Sequence, residues 1–255
     1  VRRAALTIGL LALAPVAMAQ QPNEPRLRRE GLRTVVEYAA GDLSPAEADA
    51  FSALVEQGVA DIEAVVAKGL PAQATRPGRI RFVVSPRVGM STTYGRTVVL
   101  PLARVRSRSA PYLHETVHAL VPGRGDAVWL SEGLASYLES WISEHRGGYD
   151  AQIFTRAGDR GIHAAARRTL EDPAGRAVLP WVGGEGEPPQ MRDDRMGVAR
   201  PFYVLSQSFT KYIADGAGVD ALVAALVSGD QEAIRNATGR SAGEWKQDWL
   251  RTLGG

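Results

Sequence analysis

Three residues of one pentapeptide, and a fourth some way beyond it, are of the types that bind metal or move protons. His114, Glu115 and His118 form the pattern H-E-x-x-H, and Glu132 follows fourteen positions after His118. On an α-helix, residues four apart share a face, so both imidazoles can reach one ion. Zinc accepts neutral imidazole nitrogen and carboxylate oxygen, and a catalytic site keeps three protein ligands with the fourth position left for water. Glu115, beside the first imidazole, is placed to take a proton from that water and act as general base. The chain has no cysteine, which excludes both a disulfide framework and a thiolate metal site. The cofactor expected is therefore one Zn2+ ion held by His and carboxylate.

The pentapeptide is short enough to arise by chance, so its value depends on the elements around it. Leu113, Val117, Ala119 and Leu120 give the motif an apolar face, and no Gly or Pro interrupts it before Pro122-Gly123. A turn over 122–126 reverses the chain, and a second helix opens at Trp129-Leu130-Ser131-Glu132-Gly133-Leu134-Ala135. Two antiparallel helices joined by so short a loop can bring a first-turn carboxylate against the imidazole pair. Helices are thus expected over 109–121 and 129–144.

Elsewhere, Ser44-Pro45-Ala46-Glu47 reads as a capping box with proline at the first helical position, followed by apolar residues at helical spacing from Phe51 to Val66. Residues 79–85 and 97–100 are β-branched runs bounded by Pro and Gly, and are expected to be strands. Residues 171–195, dense in Gly, Pro and charge, read as a long loop. Three or four short helices are expected from Phe202 onward. His145 and His163 stand outside any ligand spacing and read as surface residues.

The chain has 255 residues, 45% of them hydrophobic, enough to bury a sizeable core. Residues 1–19 read as a signal peptide: Arg2 and Arg3, an apolar run from Ala4 to Val16, and a small-x-small site at Ala17-Met18-Ala19. Cleavage after Ala19 would make the protein exported, periplasmic or secreted, with no stable membrane span. Losing Arg2 and Arg3 also evens the balance of 30 basic against 28 acidic residues, so global charge gives no case for nucleic acid. Residues 20–43 read as a flexible lead and 44–255 as the catalytic domain. No acid stands between Glu63 and Glu115, while nine basic residues do, including Arg76, Arg79, Arg81 and Arg106. A solvated basic face explains that stretch more simply than a rim that draws in anionic substrates.

H-E-x-x-H followed by W-L-x-E-G-x-A resembles the Glu-zincin peptidases, in particular the aminopeptidase-type clan, over about residues 94–213. The resemblance implies an α+β, zincin-like domain with a small twisted sheet, an active-site helix and a mostly helical C-terminal half. It implies Glu132 as third zinc ligand and Glu139 as an acid close to the metal shell that orients a ligand. It further implies Tyr203 as hydrogen-bond donor to the oxyanion, and residues 97–100 as the strand that pairs with an extended substrate. The implied activity is zinc-dependent hydrolysis of a peptide or protein substrate. The clan's amine-binding Gly-x-Met-Glu-Asn segment is replaced here by Gly89-Met90-Ser91-Thr92-Thr93, which has no acid. Endopeptidase action therefore fits at least as well as aminopeptidase action. An inactive binding protein of the same fold and a zinc hydrolase of a non-peptide amide or ester are the alternatives.

Overall fold

The computed structural model describes residues 26–71, 78–123, 125–149, 158–192, 197–229 and 232–254. The expected signal peptide at 1–19 lies outside them, as does Arg76. The fold is α+β, a five-stranded mixed sheet followed by a helical C-terminal half. Strands β1 (Arg26–Glu30) and β2 (Thr34–Ala39) form an antiparallel hairpin, and β2 then pairs in parallel with β3 (Ile80–Ser85). Strand β4 (Thr92–Tyr94) lies antiparallel to β5 (Thr97–Pro101), which is parallel to β3, so the sheet runs β1-β2-β3-β5-β4.

The parallel pairing of β2 with β3 requires a long connection, and α1 (Pro45–Val66) supplies most of it. Its capping box forms as the sequence predicts: Ser44 accepts from the Glu47 amide, and the Glu47 carboxylate accepts from the Ser44 amide. Val55, Val59, Ile62 and Val66 are fully buried on one side of this helix, beside Val36, Phe82 and Val98 of the sheet. Glu56, on another side, accepts the Arg33 amide and the Thr34 hydroxyl, fastening α1 to the β1–β2 turn.

Two paired strands, β1 and β2, lie within the segment 20–43 expected to be a flexible lead. The Arg-rich run of β1 is held by backbone pairing and by acids of β2 and α1, Arg28 to the cross-strand Glu37 at 3.0 Å and Arg29 to Asp49. Arg79 likewise pairs with Glu30, Arg81 with Glu37, and Arg106 with Glu47. These partners lie outside the acid-free stretch, which supports the simpler reading of its charges. A second expectation fails at β5. It is an inner strand, paired on both sides, so the sheet edge on that side is β4.

Beyond the sheet come α2 (Leu102–Arg106), α3 (Tyr112–Leu120) and α4 (Val128–Arg146), then α5 (Gly158–Glu171), α6 (Pro173–Val178), α7 (Ala199–Ala217), α8 (Val219–Ser228), α9 (Ala233–Thr238) and α10 (Ala242–Gly254). The expected long loop at 171–195 instead holds α6 and two 3-10 turns, Leu179–Trp181 and Pro189–Arg192. Asp172 caps α6 through the Ala174 amide and Pro173 takes its first position, where a proline lacks only a donor that would be unpaired anyway. Among the described residues no helix is long and apolar enough to cross a membrane.

Helices α4 and α7 pack along each other, with Trp129, Phe209 and Trp249 in an aromatic row at ring separations of 4.9 and 5.1 Å. His163 is half-buried, not a surface residue: its Nδ1 lies 2.8 Å from the Ser208 hydroxyl, which also accepts from the Trp249 indole at 3.0 Å. The approach of α4 to α7 depends on Gly133, where a Cβ would stand 2.3 Å from Thr210 Oγ1 and 2.6 Å from the Ser206 carbonyl oxygen. Gly133→Ala must push the two helices apart. We expect it to cost about 1–3 kcal/mol of stability, the usual penalty for overpacking, measured by urea unfolding. A cost near zero would show that the contact is slack.

Candidate metal centre

Helix α3 is short and enclosed, flanked by α1, β5 and α4; every one of its residues except His118 is buried. Its apolar side chains, Leu113, Val117 and Leu120, fix its rotation about its own axis, which leaves His114 and His118 together on the face toward α4. One turn into α4, Glu132 meets them. His118 Nε2 lies 3.0 Å from His114 Nε2, and Glu132 Oε2 lies 3.1 Å from the first imidazole nitrogen and 3.5 Å from the second.

These distances are what a small cation requires. Donors bound at about 2.0–2.1 Å in a tetrahedron stand roughly 3.3 Å from one another. The three separations bracket that value. His114, His118 and Glu132 each offer one ligand atom to a common point, so the group can hold a metal ion. The far side of each ring faces a serine of α4: Ser131 Oγ is 3.3 Å from His118 Nδ1, and Ser136 Oγ is 3.5 Å from His114 Nδ1. Each hydroxyl can accept a proton from Nδ1, the arrangement in which Nε2 is free to ligate.

Burial penalises charge on both partners of the Glu132–His118 pair, and their mutual attraction overcomes it. Desolvation alone would push Glu132 up, but His118 and the hydrogen bonds from both imidazoles hold its carboxyl far below the usual range. Desolvation would lower His118, yet the Glu132 carboxylate beside it holds the imidazole above its ordinary value. Tyr203, near the start of α7, is pushed well above the usual phenol range by burial and by the same carboxylate, to which it donates a hydrogen bond. Its hydroxyl is therefore a donor at any physiological pH. The Tyr203 ring stands 6.1 Å from that of His114.

Glu115 is buried at the N-terminal side of the cluster, and the Thr93 hydroxyl donates to its Oε2 at 2.6 Å. The structure thus gathers His114, Glu115, His118, Glu132 and Tyr203. Glu139 is buried two turns along α4 from Glu132, outside the trio of converging donors. Thr93, Ser131, Ser136 and Gln207 were not singled out by sequence. The Gln207 amide, one turn after Tyr203, donates to the Ser136 carbonyl at 2.8 Å and the Ser140 hydroxyl at 2.7 Å, tying α7 to the part of α4 that backs His114. The serines were legible in principle, since Ser131 precedes Glu132 and Ser136 follows it by four in the same helix. Thr93 and Gln207 act across the fold and leave no local pattern. A separate cavity of about 420 Å³, bordered by Asp126, Trp129, Leu226 and Ile234, has none of the three donors in its wall.

No protein-family model matches the chain, and no curated protein is significantly similar to it.

A protonated imidazole cannot ligate, so a metal entering the cluster must displace the proton that Glu132 stabilises on His118. The sign follows: affinity rises with pH and falls as pH is lowered through the raised His118 value. We expect one zinc per chain, with proton release on binding that is larger at about pH 6 than at about pH 8, the ordinary imidazole value being ~6.5. Calorimetry in buffers of different ionisation enthalpy measures the protons released. Zinc binding with no proton release at either pH would contradict the pairing.

Proposed function

We propose that the chain is an exported zinc-dependent peptidase of zincin-like fold, similar to the Glu-zincins, which cleaves peptide bonds of an extended peptide or protein. The observation that carries this reading is the convergence of His114, His118 and Glu132 beside a buried carboxylate and a phenol, Glu115 and Tyr203. A purely structural site needs neither of the last two. Zinc fits the donor set, two imidazoles and one carboxylate, and when bound it supplies a Lewis acid that polarises the carbonyl and acidifies neighbouring water.

The remaining work falls to the chain's own side chains. Glu115 removes a proton from water as its oxygen bonds to the carbonyl carbon. Tyr203 gives up its hydrogen bond to Glu132 and donates to the carbonyl oxygen, which gains negative charge as the carbon becomes tetrahedral. Glu115 then returns that proton to the amide nitrogen, the C–N bond breaks, and the second water proton passes from the new carboxylic acid to the amine, so that a carboxylate and an ammonium leave. Burial of Glu115 and partial burial of Tyr203 limit competing water and strengthen these interactions. The segment Gly89-Met90-Ser91-Thr92-Thr93 brings no carboxylate to hold a free α-amine, and its Thr93 is engaged with Glu115. Endopeptidase action therefore fits at least as well as aminopeptidase action. Export rests on the charged start and apolar run of residues 1–19.

Glu115→Gln preserves size and removes the base. Zinc content should be retained while cleavage of a peptide library, followed by mass spectrometry, falls by about 10²–10⁴-fold. Undiminished cleavage would refute the assignment. Tyr203→Phe keeps the ring and loses the donor. Its kcat should drop by about 10²-fold or more with KM little changed; an unchanged kcat would remove Tyr203 from the mechanism.

A further inference from the structure

A glutamate on a helix has three rotatable side-chain bonds, and one whose carboxylate must face a reacting water gains from any contact that stops it turning away. That contact comes from the sheet. Strand β4 is the edge of the sheet, and Thr93 is its middle residue, opposite Val98 of β5. Side chains alternate along a strand, so Thr93 turns to one face and its neighbours Thr92 and Tyr94 to the other, where Tyr94 is 58% exposed. Thr93 meets α3 at Glu115. Its hydroxyl lies 2.6 Å from Glu115 Oε2 and 3.2 Å from the main-chain oxygen of the same residue. A hydroxyl has one hydrogen to give, and the shorter contact to the carboxylate takes it. Threonine is also stiff about χ1, and the strand fixes its backbone, so the direction of the donor is set.

We propose that Thr93 is a positioning residue for the base. It occupies Oε2 of Glu115 and leaves Oε1 as the proton acceptor, so the edge strand, through one hydroxyl, decides which oxygen faces the water. The proposal rests on the reading of Glu115 as general base. It also gives a use to the segment that lacks an amine-binding acid: here the segment holds the carboxylate of the motif helix.

Thr93→Val keeps the branched shape and removes the hydrogen bond, whereas Thr93→Ser keeps the hydroxyl and loses the methyl. Crystal structures of the parent and both variants grown with zinc read the Glu115 carboxylate directly, and chelator competition reads zinc affinity. In Thr93→Val the carboxylate should leave the position it holds in the parent; in Thr93→Ser it should remain there. Zinc affinity should stay within about threefold in both, because Thr93 touches no ligand. Turnover of a peptide should fall about 10-fold or more in kcat, at nearly constant KM, in Thr93→Val and recover to within about threefold in Thr93→Ser, in keeping with a hydrogen bond to a charged group. A Glu115 carboxylate unmoved in Thr93→Val overturns the proposal, as does a Thr93→Ser variant that displaces it equally. A parent that holds zinc yet cleaves nothing refutes the peptidase reading, while the carboxylate position still decides the role of Thr93.

Discussion

Two imidazoles and a carboxylate lie within a few ångströms of one another, one buried and two half-buried, and the surrounding structure is organised around that crowding. Polar groups withdrawn from water cost free energy unless each finds a partner, and a buried charge costs more. Here the partners are shared. Glu132 stands between both imidazoles, accepts from Tyr203, and draws charge onto His118 against the penalty of burial. The Glu132 carboxylate favours a proton on His118, and a cation would give all three donors a single positive centre. The short separations among the imidazole nitrogens and Glu132 are easier to satisfy around a cation than around that proton.

Holding such a cluster requires three helices in fixed relation. Helix α3 cannot rotate because its other faces are buried against α1, β5 and β4. Helix α4 brings Glu132 to it and lays Ser131 and Ser136 behind the rings. Helix α7 approaches α4 closely at Gly133, is tied to it by Gln207, and in doing so delivers Tyr203 to the carboxylate. The aromatic row from Trp129 through Phe209 to Trp249 extends the same contact away from the site, so packing in the C-terminal half bears on the geometry of the donors. Gly133 thus links the fold to the cluster: a residue with no side chain, next to Glu132, permits the helix approach that places the phenol.

What could be read from the sequence was local. The capping box at Ser44, the span of α1 and the pairing of His114 with His118 follow from helix periodicity, whereas a short turn only allowed Glu132 to reach them and the W-L-x-E-G-x-A resemblance singled it out. Features resting on distant partners were misread. The run Arg26 to Glu30 is polar and resembles a disordered lead, but β2 and the acids Glu37 and Asp49 make it a strand. His163 looked like a surface residue because Ser208, forty-five positions away, is invisible to any local pattern. Within residues 171–195 Gly and Pro suggest a loop, but Pro173 follows the cap Asp172 at a first helical position, where proline starts a helix instead of breaking one. The strand 97–100 was recognised, but its place inside the sheet depended on β4, too short to announce itself.

Three protein donors, His114, His118 and Glu132, converge on one point in the folded chain, where they could hold a metal ion. X-ray absorption at the zinc edge on the purified, metal-loaded protein tests that directly. The result expected is one zinc per chain with four light-atom neighbours at about 2.0–2.1 Å and the scattering signature of two imidazoles, falling to one imidazole in His118→Ala. A six-coordinate shell of oxygen alone, or a spectrum unchanged by removing His118, would contradict it.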